Sequence, residues 1–460
     1  MTAQRDQQPV ERWRLLIVGP AAEQILVRSE GPKFALPEIT TPVDQRIAAS
    51  LNRAVERELG MHILSLYEIP QVPPVCSGGV FYHAAVASDS GEGTPHGTSW
   101  AALDLLRSER FNRNEDFAAI DTFRSLLEQN PDRHPFLKPD WFHKVALWVD
   151  ESLTSNSLRR TGPFEQLNAS STFSLMRFAT SGPAVWFKAV GAPNTHEFLV
   201  TLALVRACPA YLPKILATRA DWNAWLAEEV SGPSLAAAAD VLHWERAAES
   251  LACLQALTVG IAEEGIKNRA RDLRLSSLLR RVTPFFLFLK EQVRVAGSPH
   301  RERFAHLDWR ELSNVIADVL TSLDELHLPE TIGHMDLNPR NIVCSDPCCV
   351  FLDWAEGFVG CPLFSLEYLV QHFRRAFSAN PSLEAQLRKA YVGCWRHKLD
   401  RTLFERARTL SPLGALFGYA STLWVSMTEQ NVLEAPQRGY LLQLARKLAR
   451  MAQEVRAVCS

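Results

Sequence analysis

The stretch His334-Met335-Asp336-Leu337-Asn338-Pro339-Arg340-Asn341-Ile342-Val343 decides the reading, together with Val350-Phe351-Leu352-Asp353-Trp354-Ala355-Glu356 just beyond it. Phosphoryl transfer from a nucleotide asks three things of a protein. A carboxylate must accept or orient the attacking hydroxyl, oxygen ligands must hold Mg²⁺, and cations must offset the phosphate charge. Asp336 and Asn341 stand five residues apart in a loop containing Pro339, so both can face one cleft. A hairpin-like passage, Ile342–Leu352, turns about Ser345-Asp346-Pro347 and brings Asp353 back beside Asn341. Magnesium takes one or two protein carboxylates plus carbonyl and phosphate oxygens, which Asn341 and Asp353 suit. Each piece alone could be an acid-bearing turn before a buried strand. The ordered set carries the phosphoryl-transfer reading.

His-x-Asp-Leu-x-x-x-Asn, a hairpin and then Asp-Trp resembles the signature of the aminoglycoside phosphotransferase/choline kinase family, and is similar to the catalytic loop and metal aspartate of protein kinases. The resemblance implies Asp336 as catalytic base, His334 as the catalytic-loop brace, and Asn341 and Asp353 as Mg²⁺ ligands. Trp354, where protein kinases carry Phe, favours the small-molecule branch. Gly360-Cys361-Pro362-Leu363-Phe364-Ser365-Leu366 continues like the family's Gly-x-Pro-x-x-Asp-Leu, with Ser365 where the family usually has Asp and Met335 where it often has Gly.

Upstream, Lys188 lies inside Val185–Val190 (Val-Trp-Phe-Lys-Ala-Val), where a lysine among apolar neighbours needs a charged partner or an edge facing water. Glu197, on the next helix (Thr195–Ala207), is the candidate partner. By resemblance, Lys188 holds the α- and β-phosphates of ATP and Glu197 orients it. Glu229 and Val230 end the next strand, Trp222–Val230, like the hinge that receives adenine through backbone groups. The phosphate-covering loop falls in Leu167–Phe173, without Gly-x-Gly. There Ser170 and Ser171 either offer N–H and hydroxyl groups to phosphate or form an ordinary hairpin turn.

These elements imply an α+β chain. A bilobal, protein-kinase-like phosphotransferase domain, with a small β-rich lobe (141–233) and a large helical lobe (234–460), follows a separate α/β N-terminal domain (1–140). The boundary near 140 rests on the three prolines of Gln129–Asp140. The N-terminal region reads as strands at Trp13–Val18, Gln24–Val27, Ile63–Ile69 and Gly79–Val86 around a helix at Asp44–Leu59. Gly60 follows the helix as a C-cap, and a polar loop occupies Ala87–Ser99. Arg53-Ala-Val-Glu56-Arg-Glu58-Leu-Gly60 resembles the end of a Nudix box with Ala54 and Arg57 at two of its acidic positions. Glu56 and Glu58, two apart on a helix, point to different faces. The plain reading is a solvated helix face. The resemblance, if followed, implies a Nudix-like fold without hydrolase chemistry, suited to docking a protein partner or to sensing.

Composition sets the outer limits. The 460 residues carry 47% hydrophobic and 22% charged residues and a net charge of −2, which gives no sign of nucleic-acid binding or an anionic membrane partner. Nine cysteines are too sparse and irregular for a disulfide scaffold, and Cys344–Cys349 offers no convincing zinc set, so reduced thiols and a cytoplasmic setting are expected. The polar N-terminus lacks the apolar core of a signal peptide. Thr409–Thr428 is free of charges but holds Pro412, Gly414, Gly418 and several hydroxyls, which reads as a buried helix and not a membrane span.

Two functions compete. One is an ATP·Mg²⁺-dependent transfer to the hydroxyl of a small molecule. The other is a catalytically silent nucleotide sensor or pseudokinase acting through its N-terminal domain, which altered catalytic residues would favour. Residues 361–460 hold fourteen Lys and Arg against seven Asp and Glu, an argument against a polycationic acceptor and for a neutral or anionic one.

Overall fold

Strands and helices fall into two compact units in the computed structural model, Met1–Phe198 with Lys214–Glu229, and Leu199–Pro213 with Val230–Ser460. The structure describes residues 9–43, 46–70, 80–88, 94–129, 135–238, 240–295, 302–305, 307–395, 401–429 and 435–459. Parts of several expectations lie outside them: Asp44 at the helix start, Gly79, 89–93 of the polar loop, and 130–134 of the proline-rich stretch.

The first unit holds two sheets. In one, Val10–Val18 is central: it runs parallel to Val80–Ala87 and antiparallel to Gln24–Glu30 and Glu38–Pro42, with Ile63–Glu68 on the far side of Val80–Ala87. Helix Ile47–Leu59 covers this sheet with Leu51, Ala54, Val55 and Leu59, and ends at Gly60. Gly60 has φ 64° and returns its N–H to the carbonyl of Glu56, a left-handed cap that favours glycine. Glu56 and Glu58 are exposed, and Arg57 pairs with Glu58 at 2.9 Å.

The second sheet is five-stranded and antiparallel, ordered Ile215–Arg219, Ala224–Glu228, Val185–Val190, Phe173–Thr180 and Arg160–Ala169. The two sheets share one apolar core, which runs from Leu16 and Val27 through Phe136, Trp141 and Val145 to Met176, Phe187 and Leu226. Gln166 adds polar ties: its amide donates to the Ser65 carbonyl at 2.7 Å and accepts the Ser65 N–H at 2.8 Å. Phe136, from the proline-rich stretch, is buried edge-to-face on Trp141. A fully buried Asp116 accepts from Arg14 at 2.7 and 2.9 Å, from Tyr82 at 2.9 Å and from the Leu36 N–H at 3.0 Å, which satisfies both carboxylate oxygens.

The second unit is mostly helical. Its long helices include Val241–Thr258, Leu275–Val295, Trp309–Asp324, Pro362–Ala376, Pro381–Gly393, Arg401–Glu429 and Ala435–Cys459. Starts are marked by caps: Asp240, Asp308 and Asn380 each accept backbone N–H groups of the first turn. The charge-free run belongs to Arg401–Glu429, where Ser411, Leu413, Phe417 and Ala420 are fully buried. Among the described residues no helix is long and apolar enough to cross a membrane. A three-stranded sheet, Arg271–Leu273, Gly357–Gly360 and Thr331–His334, is set among these helices, with the hairpin Ile342–Cys344/Cys349–Phe351 close in sequence. The chain is therefore α+β, with a β-rich lobe and a helical lobe as expected of a kinase-like phosphotransferase.

Candidate active site

Thr331–His334 pairs with Gly357–Gly360 in a register that sets His334 opposite Gly357. The chain then leaves the sheet as the loop that carries Asp336. His334, fully buried, holds that loop with three bonds. Its backbone N–H donates to Ser365 Oγ at 2.9 Å, its Nδ1 accepts the Asp336 N–H at 3.1 Å, and its Nε2 lies 3.0 Å from the Leu352 carbonyl. Because Nδ1 accepts and a carbonyl cannot donate, the ring must be neutral and protonated on Nε2. Trp354 packs on it with ring centroids 4.7 Å apart.

The second arm closes on the first. Asn338 caps the turn through the Arg340 N–H, Asn341 accepts the Leu352 N–H at 2.8 Å, and Met335 donates its N–H to the Glu356 carbonyl at 3.0 Å. Asn341 Nδ2 then donates to Asp336 Oδ2 at 3.1 Å. That bond orients the half-buried Asp336 carboxylate and leaves Asn341 Oδ1 as the atom able to take a cation. Asp353 is exposed and sits at φ 62°, a conformation that a non-glycine residue keeps only where its neighbours hold it. Asn341 and Asp353 thus fit Mg²⁺, which needs few protein oxygens when phosphate supplies the rest.

Gly232 explains how the hairpin stays close to the chain that precedes the helices. It has φ 129°, and a Cβ there would lie 2.1 Å from the Cys344 carbonyl oxygen. Cys344 in turn donates its N–H to the Pro233 carbonyl at 2.8 Å.

In the first unit, Lys188 Nζ lies 2.5 Å from Glu197 Oε1, with Glu197 in the first turn of helix His196–Ala207. Their side chains are 15% and 2% exposed, so the lysine is held by a charge-assisted bond and does not point to water. Lys188 also lies over the Trp225 ring, 5.7 Å from its centroid. Ser170 Oγ accepts the N–H groups of Thr172 and Phe173, so this hydroxyl closes its own turn, while Ser171 is exposed. Glu229 uses its N–H on the Ala184 carbonyl and its carboxylate on Arg177, at 2.7 and 2.9 Å, and on Trp186 Nε1. Arg177 holds that carboxyl below its ordinary range. Val230, half-buried, is the first residue of the second unit's main segment.

Ser365, which the sequence marked as standing where the resembled family usually has Asp, anchors His334. Two residues not anticipated as site residues are Arg271 and Glu356, whose Nη2 and Oε1 pair at 2.9 Å. Burial pushes the Glu356 carboxyl up, and the charges on Asp336 and Asp353 add to this against Arg271. Glu356 was legible only as the residue closing Asp-Trp-Ala-Glu; Arg271, sixty-five positions before Asp336, left no local mark.

Asp336 and Glu356 open onto a cavity of about 500 Å³ in the second unit. Its walls come from the catalytic loop and from helices Pro362–Ala376, Arg401–Glu429 and Ala435–Cys459. That size suits a small organic molecule.

Residues 182–396 match the phosphotransferase enzyme family, a segment that contains Lys188, Glu197, Asp336, Asn341 and Asp353. Among solved structures the chain is similar to an ethanolamine kinase of Plasmodium vivax (13% identity over 76% of this chain and 94% of that one, TM-score 0.44). It is also similar to a choline kinase of Streptococcus pneumoniae (11%, 68% and 99%, TM-score 0.41). A third is a spectinomycin phosphotransferase in complex with ADP and spectinomycin (10%, 67% and 98%, TM-score 0.41).

Proposed function

We propose that this chain transfers the γ-phosphoryl group of ATP, with Mg²⁺, to the hydroxyl of a small molecule, a reading supported by the match of residues 182–396 to the phosphotransferase enzyme family. The observation that carries this reading is the Asn341–Asp336 bond of 3.1 Å at the wall of a cavity large enough for such an acceptor. Asp336 takes the hydroxyl proton. The acceptor oxygen bonds to the γ-phosphorus as the bond from that phosphorus to the β,γ-bridging oxygen breaks, and ADP departs with the electron pair. Asn341 keeps the Asp336 carboxylate turned toward the acceptor, and neutral His334 keeps the loop in register. Lys188, held by Glu197, offers its charge to the nucleotide phosphates. Asn341 Oδ1 and Asp353 would hold Mg²⁺, which supplies charge neutralisation to the phosphates when bound.

The test is twofold. Thermal unfolding of the full chain with ATP at about a hundred times its dissociation constant should gain about 2.7 kcal/mol, and only with Mg²⁺ present. ADP release with hydroxyl acceptors should fall by about 10²–10⁴-fold in Asp336→Asn while the nucleotide-induced shift persists. Full activity in that variant would overturn the role of Asp336. Nucleotide binding without turnover on any acceptor would favour the silent sensor instead.

A further inference from the structure

The cavity beside Asp336 carries an unbalanced set of charges. Three of its carboxylates are committed. Asp336 is turned toward the acceptor, Glu356 is bonded to Arg271, and Glu367 is clamped by Arg388 at 2.6 and 2.9 Å with Ser411 on the same oxygen. Two cations lining the same cavity have no such partner. Arg375 comes from helix Pro362–Ala376 and Lys447 from helix Ala435–Cys459, and among the described residues no carboxylate pairs with either. Among the described residues Lys447 Nζ has a hydrogen bond only to Gln371 Oε1, at 3.4 Å, too long to compensate a charge. The neighbouring Arg374 differs, since Glu384 holds it in a two-bond pair.

Burial, followed by the charges of Arg375, Arg450 and Arg374, lowers the affinity of Lys447 for its proton. A half-buried ammonium among guanidinium groups is an arrangement that an incoming anion relieves. The cavity also presents apolar surface, from Met335, Leu416, Leu423, Leu444 and Met451. Lys447, Leu444 and Met451 lie beyond residue 396, outside the segment that matches the family.

We propose that the phosphoryl acceptor is a hydroxyl-bearing organic anion, whose carboxylate or phosphate is received by Arg375 and Lys447 while its hydroxyl is presented to Asp336. This rests on the phosphotransferase reading for the fate of the hydroxyl, but the anion subsite stands on the two unpaired cations. The hydroxyl proton goes to Asp336 and the γ-phosphoryl group to the acceptor oxygen, so the product carries two anionic groups.

The experiment uses the full chain and four small alcohols as probes: glycerol, choline, glycerate and glycerol 3-phosphate. Binding is titrated calorimetrically with and without Mg²⁺ and a non-hydrolysable ATP analogue, and ADP release is followed with ATP. The anions should bind at least about tenfold more tightly than glycerol or choline, as a charge-assisted pair allows. Lys447→Gln and Arg375→Gln should each remove about tenfold of the anion's affinity without moving that of the nucleotide. Glycerate and glycerol 3-phosphate then tell a carboxylate site from a phosphate site. Choline or glycerol binding as tightly as the anions, neither anion binding, or unchanged anion affinity in both variants would overturn the proposal. If the anions bind through Lys447 but the nucleotide does not bind, the phosphotransferase reading fails and the anion site stands.

Discussion

Ser365 Oγ accepts the backbone N–H of His334 at 2.9 Å, with both residues fully buried, and so ties helix Pro362–Ala376 to the last residue before the catalytic loop. A neutral hydroxyl stands here where the resembled family usually has an aspartate. The contact is close-packed: a Cβ added to Gly333 would lie 2.6 Å from that oxygen and 2.3 Å from the Phe358 ring. Anchoring by a hydroxyl adds no further negative charge near Asp336, Asp353 and Glu356, where the carboxyl of Glu356 is already pushed up.

Replacing Ser365 by Ala leaves the His334 N–H buried and unpaired. The expected loss is about 1–3 kcal/mol, read from urea unfolding, with a reduced rate of ADP release at saturating ATP. Wild-type stability and rate in Ser365→Ala would show that the loop is held without this bond.

The Lys188–Glu197 pair is almost wholly enclosed, so removing one partner strands the other. Lys188→Met should cost about 3–5 kcal/mol in the thermal unfolding free energy and weaken ATP binding, because it strands the more deeply buried Glu197, and Glu197→Ala should cost less because the lysine keeps some access to water. Equal, small effects from both substitutions would mean that solvent compensates the pair.

Asp353 is exposed at a left-handed backbone position. Asp353→Ala should abolish the Mg²⁺-dependent part of nucleotide stabilisation, about 2.7 kcal/mol under the conditions above. An unchanged Mg²⁺ response would remove Asp353 from the ligand set.

His83, on strand Val80–Ala87, is fully buried edge-on to Trp13, and among the described residues neither ring nitrogen has a hydrogen-bond partner. Burial lowers its pKa to about 3. A histidine whose folded-state pKa lies below its unfolded one stabilises fully above about pH 6.5 and loses that contribution as pH falls toward about 3. The expected loss is about 1.4 kcal/mol per pH unit within that window. His83→Phe should flatten the fall of unfolding free energy between pH 6.5 and 4.5, and parallel pH curves for the two proteins would refute it.

Much of the candidate site was legible because its members are close in the chain. Asp336, Asn341 and Asp353 fall within one loop and one hairpin, and a strand of three residues on each arm leaves little freedom in where they meet. Val185–Val190 was equally plain, since an apolar strand with one lysine has few interpretations. Glu229, expected in the hinge, was less so. Its N–H and carboxylate turned out to be engaged by Ala184, Arg177 and Trp186, contacts that depend on strand register and leave no motif.

The N-terminal region shows the same limit. Its helix Ile47–Leu59 and its strands announced themselves through apolar spacing, and Gly60 through the need for a left-handed cap. That Gln166 would bridge to Ser65, or Asp116 to Arg14, Tyr82 and Leu36, could not be read from spacing at all. The cavity beside Asp336 is the extreme case: Arg271 on a strand and Arg375 and Lys447 on two helices line it together only because distant elements pack. Chemistry that depends on atoms a few residues apart is written into local sequence, because chain geometry leaves short loops few choices. The shape and charge of the cavity beside Asp336 come instead from long-range packing of apolar helix faces, and those faces look alike in sequence whichever neighbour they will meet.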